Sequence, residues 1–126
     1  MAVGGRVAAG WLGAPPLAAL TGPALGTSGG AGFAPWAAVT MLVAVAEELV
    51  LRGSLFGAIL RARGPGVAVG ITTVIFALMH VSLYGWHVVP LDLAVGLWLA
   101  GLRLTTRGVA APAIAHIVAD LATWWL

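Results

Sequence analysis

Hydrophobic residues run through this chain in four long stretches, which are separated by short segments that combine glycine with polar or charged residues. The four stretches cover about residues 33–60, 66–83, 88–104 and 109–126. A helix that crosses a bilayer needs about 20 predominantly apolar residues. Each break between the stretches contains a glycine, as a turn between helices favours. The pattern predicts an all-α protein, a polytopic bundle with four clear membrane-spanning helices.

The N-terminal region, residues 1–32, does not follow this pattern, because it is rich in glycine and proline. Its apolar part, residues 7–25, is interrupted by three prolines. Several interpretations are open: a fifth, broken span, an uncleaved signal-like segment, the remnant of a longer N-terminal region, or a cleaved signal peptide, since Arg6 precedes the apolar run. We therefore divide the chain into this Gly/Pro-rich segment and a membrane core at residues 33–126.

Composition excludes several classes of protein. Of the 126 residues, 61% are hydrophobic and 8% are charged, whereas a soluble domain has about 25% charged residues. The net charge of +2 comes from dispersed arginines without a basic patch, so we expect no nucleic-acid partner. The chain has no cysteine, which excludes disulfides and a thiolate metal site.

The arginines predict an orientation in the membrane. Arg61 and Arg63 follow the first predicted helix, and Arg103 and Arg107 follow the third, so both loops lie on the same side. Arginine and lysine are enriched in cytoplasmic loops, so we expect these two arginine-bearing loops to be cytoplasmic. The abundance of alanine, glycine and arginine, without lysine, favours a bacterial plasma membrane.

Two adjacent glutamates, Glu47 and Glu48, lie in the middle of the first stretch. Ionisable residues inside a membrane are costly and are functional-site candidates by default. Glu48 and Arg52 are spaced i,i+4 on one helix face, so we interpret them as a structural ion pair. Adjacent helical residues diverge by about 100°, which directs Glu47 away from that pair. An unpaired buried carboxylate is a plausible general base.

Two histidines lie in later stretches. His80 shares a helix face with Phe76, and His116 shares one with Asp120, because each pair is spaced i,i+4. A carboxylate at that spacing can fix the tautomer of the imidazole and raise its basicity. Glu47, His80 and His116 come from three different helices. One carboxylate and two imidazoles are suited to activating water or to holding a divalent metal.

Three motifs occur in order on separate predicted membrane helices: Glu47-Glu48-x-x-x-Arg52, Phe76-x-x-x-His80 and His116-x-x-x-Asp120. The flanking segments are Arg52-Gly53-x-Leu55-Phe56 and Thr106-Arg107-Gly108-Val109-Ala110-Ala111-Pro112. With these motifs, residues 37–126 resemble the CPBP (Abi) family, the CAAX prenyl protease type II-like intramembrane endopeptidases.

The resemblance implies peptide-bond hydrolysis within the lipid bilayer, on a peptide or membrane-protein substrate. It implies that Glu47 and His80 activate the water, while His116 and Asp120 stabilise the oxyanion. An older view of the family makes Glu47, His80 and His116 the ligands of a zinc ion, so both one divalent metal and no cofactor are open. Residue 120 is commonly asparagine in the family, and relatives usually have more helices before the glutamate motif.

Three other functions are open at this point. A non-catalytic immunity or scaffold protein of the same fold would bind a membrane peptide, and the short N-terminal region favours it. A truncated, inactive relative is a second alternative. A proton relay is a third, because chains of Glu and His in membranes often carry protons. Prenylated CAAX substrates are eukaryotic, so a bacterial relative would act on another peptide or membrane protein.

Overall fold

The computed structural model describes residues 32–125, which form four helices connected by short turns. Helix α1 covers Phe33–Arg63, α2 covers Pro65–Tyr84, α3 covers Val89–Thr106 after the 3-10 turn Trp86–Val88, and α4 covers Ala110–Ala122 before the 3-10 turn Thr123–Trp125. Residues 7–25, where a fifth, broken span was one interpretation, lie outside the described residues.

Three of these helical segments are long and apolar enough to cross a membrane: Phe33–Arg63 with 31 residues, Pro65–Tyr84 with 20 and Trp86–Thr106 with 21. The all-helical class is therefore confirmed for the described residues, with three candidate spans. The fourth predicted span, residues 109–126, is not confirmed, because its helix Ala110–Ala122 has only 13 residues. At 1.5 Å per residue that helix is about 20 Å long, less than the ~30 Å of a hydrocarbon core.

Backbone conformation explains where the helices end. Gly64 and Gly85 have positive φ angles of 84° and 89°, which glycine adopts without steric cost. Pro65 then starts α2 at a position where its missing N–H leaves no helical hydrogen bond unmade. The third turn differs, because its left-handed residue is Arg107, with φ 56°, rather than the neighbouring Gly108.

The packing is that of a membrane bundle, with charge inside and apolar side chains outside. Glu48, Arg52 and His116 are buried, while large apolar residues such as Leu42 and Leu97 are exposed on the outer faces. The first part of α1 packs against α4, its last part packs against α2, and α2 and α3 share an extensive interface. The buried polar groups consequently meet between α1, α3 and α4.

Aromatic rings hold the start of α1 against the end of α4. Phe33 packs edge-on against Trp124 at 5.3 Å between ring centroids, and Trp36 lies 4.8 Å from the same ring. Because α1 and α4 contact each other from this end down to Glu48 and His116, the rings help to set the register between the two helices.

We expect Gly96→Ala to destabilise the bundle, because Gly96 is where α3 approaches α2 most tightly. A Cβ atom at Gly96 would lie 3.3 Å from the Phe76 ring and 3.3 Å from the Thr73 backbone. Overpacking of this kind costs about 1–3 kcal/mol, and thermal unfolding in detergent measures it. Gly101→Ala on the same helix is the control, since nothing lies within 4 Å of a Cβ there. Equal melting temperatures for the two variants would contradict this view of the interface.

Candidate active site

An ion pair on α1 forms one wall of the site. Arg52 Nη1 donates to Glu48 Oε1 at 2.8 Å, and both side chains are fully buried. Arg52 Nη2 donates to the Gly96 carbonyl at 3.2 Å, and the guanidinium lies 4.7 Å from the centroid of the Phe76 ring. The predicted i,i+4 pair is present, and its cation also contacts the backbone of α3 and a ring of α2.

The helix that carries this pair is not a regular α-helix. Residues Leu49–Leu55 wind as a π-helix between the α-helical parts Phe33–Glu48 and Phe56–Arg63. Short π-helical segments within α-helices are rare and frequently lie at functional sites. Glu48 is the residue just before this segment and Arg52 lies within it, so the π-helical winding coincides with the charged motif.

Both ring nitrogens of His116 lie close to carboxylate oxygens. Its Nδ1–H donates to Glu48 Oε1 at 3.0 Å, and its Nε2 lies 3.4 Å from Asp120 Oδ2 and 3.8 Å from Glu47 Oε2. Only 2% of the His116 side chain is exposed. Since Nε2 faces two carboxylate oxygens, a proton or a cation has to lie between them, because a bare nitrogen lone pair would repel both.

Glu48 is a partner of His116 that sequence reasoning missed. We expected Asp120 to orient this imidazole and assigned Glu48 to Arg52 alone. In the structure the buried Glu48 oxygen accepts hydrogen bonds from both Arg52 and His116. The residues are 68 positions apart, so no local spacing signals the contact. The one hint in the sequence is that Glu47 and Glu48 supply two carboxylates near Arg52, whereas one ion pair needs only one carboxylate.

Glu47 faces a different direction from the ion pair, as its neighbouring position on the helix predicts. Its side chain is 19% exposed, whereas that of Glu48 is fully buried. Glu47, His80 and His116 each present one ligand atom, and these three atoms lie within 4.8 Å of one another. The structure thus brings together the three residues that the sequence placed on separate helices.

His80 is held by its own helix. Its Nδ1–H donates to the Phe76 carbonyl at 2.8 Å, and its ring packs at 4.6 Å between centroids against the Phe76 ring. On the other side, Tyr84 stacks nearly parallel to His80 at 6.1 Å. Because a carbonyl only accepts hydrogen bonds, Nδ1 carries the proton and Nε2 is left to accept a hydrogen bond or to bind a cation.

The donor set fits a catalytic zinc ion. Two histidines and a glutamate are a known ligand set for zinc sites that keep a fourth position open for water. Metal-bound histidines usually donate their other N–H to a carbonyl or a carboxylate. His80 does so to the Phe76 carbonyl, and His116 does so to Glu48. A glutamate beside two histidines is also a set of side chains that can activate water without a metal.

Comparison with protein families matches residues 30–122, most of the chain, to the type II CAAX prenyl endopeptidase Rce1-like family. No curated protein and no solved structure matches the chain. The match confirms the resemblance that the three motifs indicate, and together with the apolar helices it supports an integral membrane protein of a protease family. The chain therefore belongs to the Rce1-like family of type II CAAX prenyl endopeptidases.

Proposed function

We propose that this protein is an intramembrane endopeptidase that hydrolyses peptide bonds with a water molecule activated by Glu47. The observation that carries the proposal is the convergence of one atom each from Glu47, His80 and His116 within 4.8 Å, on three helices. Such a cluster is costly within an apolar bundle, and its residue types are those that water activation requires.

Glu47 acts as the general base. It is the more accessible of the two adjacent glutamates, and its carboxylate is not neutralised by Arg52. The base takes a proton from water as the oxygen attacks the peptide carbonyl carbon, and it returns the proton to the departing amine. His80 accepts a hydrogen bond from the water at Nε2, because its Nδ1–H is held by the Phe76 carbonyl. Together the two side chains fix the direction of attack.

His116 stabilises the negative charge that develops on the carbonyl oxygen. With Nδ1–H bound to Glu48, a protonated His116 has an Nε2–H to donate to the oxyanion. A preorganised donor aimed at a developing oxyanion is typically worth about 10²–10³ in kcat. Asp120, 3.4 Å from the same nitrogen, keeps that proton in place before substrate binds.

A metal-dependent variant of this function is supported by the second hydrogen bonds of both histidines. Glu47, His80 and His116 would hold the zinc ion, which, when bound, lowers the pKa of its water and polarises the peptide carbonyl. Glu48 and the Phe76 carbonyl orient the two imidazoles in either variant. The effect of a metal chelator on the cleavage rate therefore distinguishes a glutamate-type enzyme from a metallo-type enzyme.

Cleavage of a quenched fluorogenic peptide library by the purified, detergent-solubilised protein tests the proposed function. We expect cleavage that is lost in Glu47→Gln. Loss of activity with a chelator, and its return with added zinc, would assign the metal-dependent variant, while an unchanged rate would assign the glutamate variant. Well-folded protein that cleaves no member of the library would instead support the non-catalytic scaffold or the inactive relative.

We expect Asp120→Asn to retain peptidase activity within about tenfold, and Asp120→Leu to lose more. Asparagine keeps an oxygen near His116 Nε2 and removes a negative charge that repels the oxyanion, while leucine removes the hydrogen-bonding group as well. Leucine removes the acceptor that keeps the Nε2 proton on His116, and complete loss of that donor, about 10²–10³ in kcat, is the upper limit for the leucine variant. Steady-state kcat for both variants decides the point. A lower rate for Asn than for Leu would contradict this role for Asp120.

The proposed substrate is a peptide or membrane-protein segment that reaches the site within the bilayer. The proposed location is a bacterial plasma membrane, with the loops that contain Arg61, Arg63 and Arg107 in the cytoplasm. The positive-inside bias supports this orientation. Cysteine introduced at Ala62, between the two arginines in a chain that has no cysteine, is expected to resist membrane-impermeant thiol reagents in intact cells. Cysteine introduced at Trp86 is expected to react.

A further inference from the structure

A second arginine, Arg103 of α3, contacts the backbone of the π-helical segment. Its Nε–H donates to the carbonyl of Arg52 at 2.8 Å, across 51 positions of sequence. The guanidinium also lies 5.5 Å from the centroid of the Phe56 ring, at the start of the last part of α1. Arg103 therefore contacts α1 where regular α-helical winding resumes.

The carbonyl that Arg103 binds has lost its usual backbone donor. In an α-helix the Arg52 carbonyl accepts from the N–H of Phe56, four residues later. Here the Phe56 N–H bonds instead to the carbonyls of Leu51 and Gly53. Because π-helical bonding to the fifth residue ends at this point and α-helical winding resumes at Phe56, the Arg52 carbonyl is left between the two bonding patterns. A backbone carbonyl without a donor inside an apolar bundle is costly. Arg103 supplies the missing donor from a neighbouring helix.

This contact is linked to the candidate active site through two further bonds. The side chain of Arg52 bonds to Glu48 at 2.8 Å, and Glu48 accepts from His116 Nδ1 at 3.0 Å. Thus the residue whose carbonyl Arg103 fixes is also the residue whose guanidinium holds the His116 partner in place. The contacts of Arg103 are with the Arg52 carbonyl and the Phe56 ring, and not with Glu47, His80 or His116.

We propose that Arg103 is a positioning residue for the active site: it replaces the donor that π-helical winding removes from the Arg52 carbonyl, and so fixes the direction of Arg52 and Glu48 toward His116. This inference rests on the proposed peptidase function for its catalytic consequence, but the hydrogen bond itself is testable without activity. Without Arg103 the segment shifts toward regular winding, which rotates Glu48 relative to His116.

The sequence offers a direct probe of this carbonyl. Arginine is followed by glycine at three places, Arg52-Gly53, Arg63-Gly64 and Arg107-Gly108. Protein labelled with carbonyl-¹³C arginine and ¹⁵N glycine consequently gives one amide–carbonyl NMR correlation for each pair. We expect Arg103→Met to move the Arg52 carbonyl signal and to leave the Arg63 signal in place. An Arg52 signal that does not move overturns the inference, whatever the activity of the protein.

Kinetics test the positioning role. We expect Arg103→Met to lower kcat by about 10- to 100-fold, the usual cost of losing a group that orients a site residue, with KM changed less than twofold. Arg103→Lys, which keeps a donor, is expected to recover part of the loss. Arg63→Met is the matched control, because it removes one positive charge from an exposed position on the same side of the bundle.

The outcomes separate this inference from the proposed function. A wild-type protein that cleaves no peptide fails the proposed function, while the carbonyl signal still decides whether Arg103 holds the π-helical segment. If the wild type is active and Arg103→Met matches it in kcat, the positioning role is overturned. It is also overturned if all Arg103 variants lose melting temperature and activity in parallel, with no recovery by lysine, because Arg103 would then be a structural anchor.

Discussion

Glu47→Gln is expected to lower kcat for peptide hydrolysis by about 100- to 10,000-fold, the range that a lost general base costs. Glutamine has nearly the same shape as glutamate, the Glu47 side chain is partly exposed, and no arginine among residues 32–125 forms an ion pair with it. Its neutralisation therefore removes the base without leaving a buried cation unpaired. We expect the melting temperature to stay within a few degrees of the wild-type value.

The control for this prediction is the combination with His116→Gln. Residues that act in one chemical step lose activity non-additively, so the double variant is expected to be little slower than the slower single variant. Losses that multiply would indicate that Glu47 and His116 act independently. Retained activity in Glu47→Gln would remove the assignment of this residue as the base.

Arg52→Met is expected to destabilise the folded protein by about 3–5 kcal/mol, because breaking a buried ion pair leaves an uncompensated charge. Glu48 is fully buried, and its second oxygen has no hydrogen-bond partner among the described residues. Arg52 also donates to the Gly96 carbonyl, so its removal takes away a hydrogen bond between α1 and α3 as well. Thermal or denaturant unfolding in detergent measures the loss.

The double variant Glu48→Leu/Arg52→Met separates the stability of this pair from its function. Replacing both members of a buried ion pair by apolar residues of similar volume is often neutral or stabilising. We expect the double variant to recover most of the lost stability but not peptidase activity, because His116 Nδ1 loses its acceptor. An Arg52→Met protein as stable as the wild type would contradict a structural role for the pair.

A single series of contacts connects these residues across the bundle. Arg103 binds the carbonyl of Arg52, the Arg52 side chain binds Glu48, and Glu48 binds His116. Each contact occurs between buried or partly buried groups, where competition from water is weak and hydrogen bonds are stronger than in solvent. The π-helical segment Leu49–Leu55 lies at the centre of this series.

Features set by local pattern were predictable from the sequence. The first three helices begin and end within about three residues of the predicted hydrophobic stretches, because apolar length and glycine turns determine them. The Glu48–Arg52 pair and the different direction of Glu47 also follow from the helical repeat. The fourth stretch was predicted as a membrane span and is not confirmed as one, since its α-helix ends at Ala122 and continues as a 3-10 turn.

Features that depend on how helices pack were not predictable. The bond between Glu48 and His116, and the bond between Arg103 and the Arg52 carbonyl, join residues 68 and 51 positions apart. No spacing rule connects such positions, because their proximity arises from the packing of α1 against α4 and from the arginine hydrogen bonds between α1 and α3. Helix propensities do not predict the π-helical winding either, since Leu49–Leu55 contains ordinary helix-forming residues beside one glycine.

The measurement that tests the central claim most directly is peptide cleavage in heavy-oxygen water, with mass spectrometry of the fragments. Wild-type protein and Glu47→Gln are purified in the same detergent and matched for melting temperature. We predict that the wild type produces fragments with heavy oxygen in the new C-terminal carboxylate, and that Glu47→Gln produces at least about 100-fold less of them in the same time. Fragments in equal amounts from both proteins, or none from folded wild type, would contradict hydrolysis by this site.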